Sequence, residues 1–180
     1  VHDYTLFNPK FAEFDNGYSV YLALQNLLYE KGLNDDENII ILDGDLVCDD
    51  DLICRINKSE NENLLVNKPI KYSKELKDEI SIVDDKGKIL KLIIPSKQNP
   101  LSSAYLNNSL YSYTGVMKLS KNVAFQLCEK LKTSYQKWYT LPFQELVLIN
   151  DFYSFEVPKN LKYCFDVDTK EDLDKLSNIK

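Results

Sequence analysis

The chain has 180 residues, of which 44% are hydrophobic, enough to build one compact core without disulfides or a bound metal. Its 28 acidic and 22 basic residues give a formal net charge of -6, which argues against nucleic acid or an anionic membrane as the main partner. Its four cysteines form no CxxC pair and no zinc-ligand spacing, and no apolar stretch reaches the ~20 residues that span a bilayer.

The start of the chain indicates where the protein resides. Its first residues lack both the basic and the apolar region of a signal peptide, so we expect a cytoplasmic protein with free thiols. They also lack an initiator methionine, and we therefore expect the chain to be part of a longer one.

The first half of the chain is predicted to alternate helix and strand. Apolar residues at helical spacing predict a helix over 18–31, which Gly32 is suited to end. A continuous β-branched run at 39–42 predicts a strand that is buried on both faces of a largely parallel sheet. This succession is typical of an α/β fold. Further strands are predicted at 64–66, 79–84 and 89–94, with a hairpin turn between the last two.

The second half of the chain continues this pattern. Ser120 is placed to cap one helix and Thr169 to cap another, while Pro142 is compatible only with the first turn of a helix. No repeat or linker interrupts the pattern, so we expect one domain. The predicted elements are a strand at 111–118, helices at 120–131 and 138–149, strands at 152–157 and 161–167, and a last helix after Thr169.

Acidic residues directly follow the buried strand, in the sequence Asp43-Gly44-Asp45. Ligands of open α/β sheets bind at that end of the strands, and Gly44 lets a ligand approach the backbone. A carboxylate at this place suits Mg²⁺, which takes one or two protein carboxylates together with phosphates and waters. The alternative is that Asp43 and Asp45 begin a solvated loop, because three more aspartates follow at 49–51.

A second predicted strand also ends in acid, at Asp166-Val-Asp168, just before the capped helix. If the two strands are close in the sheet, Asp45 and Asp168 would hold one metal ion that neutralises a triphosphate and orients an acceptor phosphate. Asp166 would point to the same face as Asp168 but sit deeper in the strand. The alternative for Asp168 is a capping role beside Thr169.

Four blocks run in order through nearly the whole chain: NPKFAEFDNGYSVYLA at 8–23, LDGD at 42–45, YTGV at 113–116 and FDVDTKEDL at 165–173. Together they resemble the sugar-phosphate nucleotidyltransferases, and the first block is most similar to the choline-phosphate and aminoethylphosphonate cytidylyltransferase branch. The resemblance implies a Rossmann-like, mixed and mostly parallel sheet flanked by helices, of the nucleotide-diphospho-sugar transferase type. It further implies that residues 1–180 are the C-terminal part of a single nucleotidyltransferase domain.

The same resemblance implies roles for individual residues. Asp45 and Asp168 would be the catalytic pair that coordinates magnesium. The nucleotide-binding candidates are Asn16, Ser19, Lys97 and Gly115. A solvated side chain remains the alternative for Lys97, and a packing role remains the alternative for Gly115.

One segment of the family has no counterpart in this chain. Members open with a strand that leads into a Gly-rich loop with an arginine and a lysine, which hold the triphosphate and stabilise the transition state. The first residues here match the middle of the family's sequence, so we expect that this N-terminal strand, loop and helix are missing from the chain. The alternatives are that a separate piece supplies them or that the protein is an inactive relative.

The resemblance and the two strand-end aspartates predict a magnesium-dependent nucleotidyltransferase. Such an enzyme would move a nucleoside monophosphate, with CTP the favoured donor, to a phosphorylated acceptor and release pyrophosphate. The candidate acceptors are phosphocholine-like compounds, phosphonates and sugar phosphates, and the candidate protein partners are the missing N-terminal segment and a second copy. The alternatives are a glycosyltransferase with an Asp-x-Asp metal site and an inactive interaction domain.

Aromatic side chains are the candidates for binding the acceptor. A quaternary ammonium such as choline would lie on aromatic faces near an acid. The choline branch has an acid close after its aromatic pair, which this chain lacks, and a place in the core remains the alternative for these rings. The candidates are Tyr111, Tyr113, Trp138 and Tyr139, with Glu145 as an acid one turn later.

Overall fold

The computed structural model describes residues 5–73, 76, 78–96, 101–161 and 164–177. The chain divides into two compact units, one formed by residues 1–39 and 119–151 and the other by residues 40–118 and 152–180. Within the described part of the chain, no helix is both long and apolar enough to cross a membrane.

Helices and strands alternate along the chain. The helices are α1 (Asn16–Gln25), α2 (Asp50–Lys58), α3 (Lys121–Ser134), α4 (Thr140–Ile149) and α5 (Lys170–Ser177). The strands are β1 (Asn38–Leu42), β2 (Leu46–Cys48), β3 (Leu64–Pro69), β4 (Ile80–Val83), β5 (Ile89–Ile93), β6 (Ser109–Ser120), β7 (Tyr153–Glu156) and β8 (Cys164–Asp166). A π-helix (Asn26–Lys31) continues α1, and a 3-10 turn (Ser103–Tyr105) precedes β6.

The first unit is helical and contains α1, α3 and α4. Ser120 caps α3 as predicted, because its hydroxyl accepts a hydrogen bond from the amide of Val123 at 3.4 Å. The apolar positions of α3 recur at helical spacing and form its buried face. The buried residues of α3 are Val123, Ala124, Leu127, Cys128 and Leu131.

The helix predicted over 18–31 is confirmed in position but changes its winding. α1 ends at Gln25, and the π-helix carries the chain on to Gly32. Gly32 ends the helix with a φ of 70°, which glycine adopts without a steric penalty. α4 begins at Thr140, so Pro142 lies in its first turn as expected.

The second unit is built on a mixed sheet, which has six strands among the described residues. The strand order is β5-β4-β6-β3-β7, and β1 also pairs with β6. β3 and β7 are parallel, whereas the β3–β6, β4–β6 and β4–β5 pairs are antiparallel. The α/β class with a mixed sheet is confirmed. Antiparallel pairs outnumber the parallel pair among these registers, and one of them is the predicted β4–β5 hairpin, whose tight turn requires antiparallel strands.

β1 differs from the predicted strand in its burial. Ile39 is buried, but Ile40 and Ile41 are only partly buried and Leu42 is 46% exposed. Among the strands that the structure describes, β1 pairs only with β6. The prediction of a strand buried on both faces is therefore wrong for the carboxyl end of β1.

Residues 46–58 form a strand and a helix that the sequence pattern did not predict. The side chain of Asp49 accepts a hydrogen bond from the amide of Asp51 at 3.2 Å and so caps α2. α2 then buries Leu52 and Ile56, which are four residues apart on one face. The run of aspartates therefore begins a helix, where negative charge suits the helix dipole, and is not a solvated loop.

A hydrophobic core in the second unit joins α2 and the pair of strands β2 and β8 to the main sheet. Leu46 and Cys48 of β2 and Phe155 of β7 pack against this core. The two strands that adjoin Asp45 and Asp168 are thus held on the sheet by apolar contacts. The buried members of the core are Leu52, Ile56, Leu64, Val66, Val116 and Cys164.

Candidate active site

Two distant segments of the chain lie side by side in the β2–β8 pair. The strands are antiparallel, with Leu46 opposite Asp166. Next to this pair, the amide of Val167 donates a hydrogen bond to the carbonyl of Asp45 at 2.9 Å. Asp45 precedes β2 and Asp168 follows β8, so both predicted metal ligands lie at the same end of the two strands. We call β2, β8 and the aspartates at this end, Asp45, Asp166 and Asp168, the acidic ribbon.

The carboxyl group of Asp166 shows how closely charged groups gather at this end. Burial raises its pKa, because the surrounding protein removes water from the carboxyl although the residue as a whole is exposed. The carboxylates of Asp45 and Asp168 raise the pKa of Asp166 further, whereas the Lys68 ammonium lowers it. The carboxylates of Asp45 and Asp168 thus both repel that of Asp166, and a cation placed near Asp166 would relieve this repulsion.

The helix cap that follows β8 is made without Asp168. The amide of Thr169 donates to Oδ2 of Asp172 at 3.0 Å, and the amide of Asp172 donates to Oγ1 of Thr169 at 3.3 Å. These reciprocal bonds form a capping box at the start of α5 and agree with the prediction that Thr169 caps this helix. The capping role that was the alternative for Asp168 is therefore performed by its neighbour, Thr169.

Gly115 packs directly against Asp43. The amide of Asp43 donates a hydrogen bond to the carbonyl of Gly115 at 2.9 Å, which fixes the two residues against each other. Gly115 has a φ of 76°, and a Cβ at this position would lie 2.7 Å from Oδ2 of Asp43. The packing role of Gly115 thus has a structural basis, while its contact with a nucleotide stays a prediction. Gly44 differs, because a Cβ there would meet no atom within 4 Å.

The two nucleotide-pocket candidates of the first unit make structural hydrogen bonds. Oδ1 of Asn16 accepts from the amide of Tyr139 at 3.2 Å. The hydroxyl of Ser19 accepts from the side-chain amide of Asn8 at 2.9 Å. These bonds fix the start of α1 and the segment before it, and the role of both residues at a nucleotide stays a prediction. Lys97, the third candidate, lies outside the described residues.

The predicted acceptor-binding aromatics separate into core and surface residues. Tyr113 and Tyr139 are buried in their own units, which supports the alternative that they belong to the core. Trp138 is 49% exposed and keeps its rings available to a ligand. Glu145 forms an ion pair with Lys130, as expected for an acid on a solvated helix face.

Lys68 belongs to this region of the second unit and was missed by sequence reasoning. It lies half-buried on β3, and its Nζ donates a hydrogen bond to the main-chain carbonyl of Cys164 on β8. The available signal was a lysine inside the strand sequence LLVNKP, whose other members are mostly buried. A buried strand position tolerates a charge only when it has a partner, so such a lysine indicates a specific contact.

The donor set of the acidic ribbon suits one kind of metal ion. Within the described ranges, no group of three or more His, Cys, Asp or Glu side chains is arranged to hold a metal. Mg²⁺ takes only one or two protein carboxylates when waters and substrate phosphates complete its shell. Asp45 and Asp168, on adjoining segments of backbone, offer such a set. The arrangement therefore fits an ion that arrives with a phosphate ligand better than a metal coordinated by protein alone.

Comparison with protein families gives one match. A family model described as a domain of unknown function (DUF6564) matches residues 3–153. The chain belongs to this family. The DUF6564 description assigns no activity, and a comparison with curated proteins finds no match.

Three solved structures have a fold similar to that of the DUF6564 chain. The CTP:phosphocholine cytidylyltransferase LicC from Streptococcus pneumoniae is 16% identical with a TM-score of 0.67, over 96% of this chain and 67% of LicC. The inositol-1-phosphate CTP transferase from T. maritima is 17% identical with a TM-score of 0.61, over 95% of this chain and 62% of that one. HddC from Yersinia pseudotuberculosis is 14% identical with a TM-score of 0.53, over 90% of this chain and 60% of HddC.

These similarities bear on the fold. At 14–17% identity they show a shared fold, which agrees with the α/β fold that the sequence blocks implied. The DUF6564 chain spans about two thirds or less of the length of these structures, with shares of 67%, 62% and 60%.

Proposed function

We propose that this chain is part of a magnesium-dependent nucleotidyltransferase, with CTP as the favoured donor and a phosphorylated small molecule as acceptor. The observation that carries the proposal is the meeting of the Asp45 and Asp168 segments at one end of the acidic ribbon. The fold supports it, because two proteins of similar fold are CTP-using transferases, one for phosphocholine and one for inositol 1-phosphate.

The chemistry of the proposed reaction explains what the protein must supply. An oxygen of the acceptor phosphate attacks the α-phosphorus of the nucleoside triphosphate, and pyrophosphate leaves. The acceptor is itself the nucleophile, so the protein needs to position two phosphates in line and offset their charge. Asp45 and Asp168 would hold Mg²⁺, which when bound neutralises the triphosphate and stabilises the transferred group. The open space around Gly44 would let the phosphates approach the backbone between the two aspartates of the loop.

Replacement of the two aspartates tests the metal role directly. We expect Asp45→Asn and Asp168→Asn each to abolish pyrophosphate release, because asparagine keeps the shape of the side chain but loses the anionic oxygen. The circular dichroism spectrum should stay that of the wild type. Asp85→Asn, in the exposed turn of the β4–β5 hairpin, is the matched control and should keep full activity. Turnover in both ribbon variants would remove the basis of the mechanism.

A pyrophosphate-release screen of the full-length gene product would identify the donor and the acceptor. The screen crosses the four ribonucleoside triphosphates with phosphocholine, aminoethylphosphonate, inositol 1-phosphate and common sugar 1-phosphates. We expect release with CTP and one of these acceptors. Release with a different triphosphate would revise the base, and no release from well-folded protein would favour the inactive-relative alternative.

A further inference from the structure

The acidic ribbon is a separate two-stranded piece, and a lysine of the main sheet makes a hydrogen bond to it. Among the described strands, β2 and β8 pair only with each other. Lys68, on β3 of the main sheet, bonds through its Nζ to the main-chain carbonyl of Cys164 on β8. The ribbon therefore has a polar link to the sheet in addition to its apolar core.

The pattern of the antiparallel ladder explains why this carbonyl needs a partner. Asp45 and Val167 face each other as a hydrogen-bonded pair. Hydrogen-bonded and non-hydrogen-bonded pairs alternate along such a ladder, which makes the Cys48–Cys164 pair a non-hydrogen-bonded one. The carbonyl of Cys164 thus points away from β2, toward the outer edge of the ribbon. Because a main-chain carbonyl that is withheld from water costs free energy when it is unpaired, the bond from Lys68 stabilises this edge.

Lys68 also contributes its charge to the ribbon. Its ammonium lies close enough to the thiol of Cys164 and the carboxyl of Asp166 to act on both electrostatically. On β3 it stands opposite Ser112 of β6, whose hydroxyl donates to Asp78 at 3.2 Å. The Lys68 ammonium is therefore held between the main sheet and β8. This strand leads directly to Asp168.

We propose that Lys68 is a positioning residue: by bonding the Cys164 carbonyl at the start of β8, it holds this strand in place so that Asp168 is presented beside Asp45. The inference deepens the proposed function and rests on it. Lys68 acts through the backbone of β8 and is not assigned a contact with substrate. Residues that do not touch a metal but hold its ligands in place orient those ligands, and their loss lowers the affinity for the metal.

Two measurements test this role without requiring turnover. The first is binding of Mn²⁺ to the protein, without and with CTP, followed by the electron paramagnetic resonance signal of the ion. The second is amide hydrogen exchange in residues 164–168. We expect Lys68→Met to weaken the affinity for Mn²⁺ about tenfold, the smaller effect usual for loss of such a partner, and to speed exchange in this segment.

Two further variants separate positioning from a general loss of structure. Lys68→Arg keeps the positive charge and the donors, and it should restore both the affinity for Mn²⁺ and the slow exchange. Lys86→Met removes an exposed lysine in the turn of the β4–β5 hairpin and should change neither. The thermal unfolding midpoint of each variant shows whether it is folded.

The outcomes distinguish this inference from the proposed function. A folded Lys68→Met protein with wild-type exchange in 164–168 and wild-type affinity for Mn²⁺ would overturn the positioning role. If that variant does not fold, Lys68→Val, which suits a strand and also lacks a donor, takes its place, and wild-type values for it would overturn the role equally. Failure of the wild-type protein to bind Mn²⁺ even when CTP is present would count against the proposed metal site, while the exchange data would still decide whether Lys68 holds β8.

Discussion

Gly17 lies where the start of α1 meets the connection between α3 and α4. A Cβ at this position would lie 2.1 Å from the carbonyl oxygen of Lys137 and 3.1 Å from that of Tyr135. Both oxygens belong to the backbone and cannot turn away as the end of a side chain can. We expect Gly17→Ala to destabilise the protein. Overpacking costs about 1–3 kcal/mol, and a contact as short as this one should cost more. The higher helix propensity of alanine over glycine offsets only ~1 kcal/mol of that cost.

Urea denaturation measures the free energy of unfolding for this comparison. Gly44→Ala is the control, because a Cβ at Gly44 meets no atom within 4 Å and should leave the free energy of unfolding almost unchanged. An unchanged denaturation midpoint for Gly17→Ala would contradict the contact between α1 and the α3–α4 connection.

The four cysteines differ in exposure, and their reactivity should follow. Cys54 is exposed, whereas burial raises the pKa of the Cys48, Cys128 and Cys164 thiols. A raised pKa leaves less of the reactive thiolate at any given pH. We expect iodoacetamide to label Cys54 first and the other thiols only after unfolding, as measured by peptide mass spectrometry. Labelling of Cys54→Ser as fast as that of the wild type would contradict this expectation.

Sequence could locate the strand-end aspartates but not Lys68. Acid directly after a β-branched run is a local pattern, so Asp45 could be singled out before the fold was known. The partner of Lys68 is a main-chain carbonyl 96 residues away, and only folding brings the two together. The same holds for Asn16, whose oxygen binds a backbone amide 123 residues away. Contacts to distant backbone carry no signature in the sequence of either partner.

At the level of elements, the stability of α5 shows whether Asp168 caps this helix or is available as a metal ligand. We expect Thr169→Ala to remove the capping box and destabilise α5 by about 1 kcal/mol, seen as faster amide exchange in residues 170–177. Asp168→Asn should leave this exchange unchanged, because Asp168 takes no part in the box. Equal fraying in both variants would instead assign Asp168 to the cap.

Elements with strong local signals could be predicted, and the others depend on their neighbours. Ser120 before an apolar stripe and Gly87 between two apolar runs place α3 and the β4–β5 hairpin correctly. β2 has only three residues, and α2 has nine with acid at its start, so the apolar pattern of each is too short to be recognised in the sequence. The exposure of Leu42 is set by which strands flank β1, and the sequence of β1 itself holds no such information.

At the level of the whole molecule, the net charge of -6 disfavours anionic ligands except at an arranged site. If Asp45 and Asp168 hold Mg²⁺ with a nucleotide, the ligand at 100 times its Kd stabilises the folded protein by about 2.7 kcal/mol. For a chain of this size, that corresponds to a rise in Tm of about 5–10 °C. We expect CTP with Mg²⁺ to produce this rise in the wild-type full-length protein.

Two controls assign the rise to the aspartate pair. Addition of EDTA should remove it, and Asp45→Asn should not show it. An equal rise in Asp45→Asn and in the wild type would mean that the nucleotide binds without these carboxylates.

The overall fold could be predicted although the proteins of similar fold are at most 17% identical to the chain. Four short blocks in the right order were sufficient, because three of them mark the start of α1, the end of β1 and the passage from β8 to α5. The acceptor could not be predicted in the same way. Two of the four aromatic candidates, Tyr113 and Tyr139, are buried, and composition alone does not distinguish a ring in the core from a ring that faces a ligand.

The bonds between α1 and the α3–α4 connection restrict how the protein can diverge. The carbonyl of Lys137 accepts from the amide of Gly17, and the amide of Tyr139 donates to Asn16, each at 3.2 Å. Asn16 and Gly17, which are adjacent in α1, thus bind residues that are two positions apart in the connection. An inserted residue between Lys137 and Tyr139 would displace one partner by up to about 3.5 Å and break its bond. Homologues can therefore exchange side chains along this connection, but its number of residues is constrained.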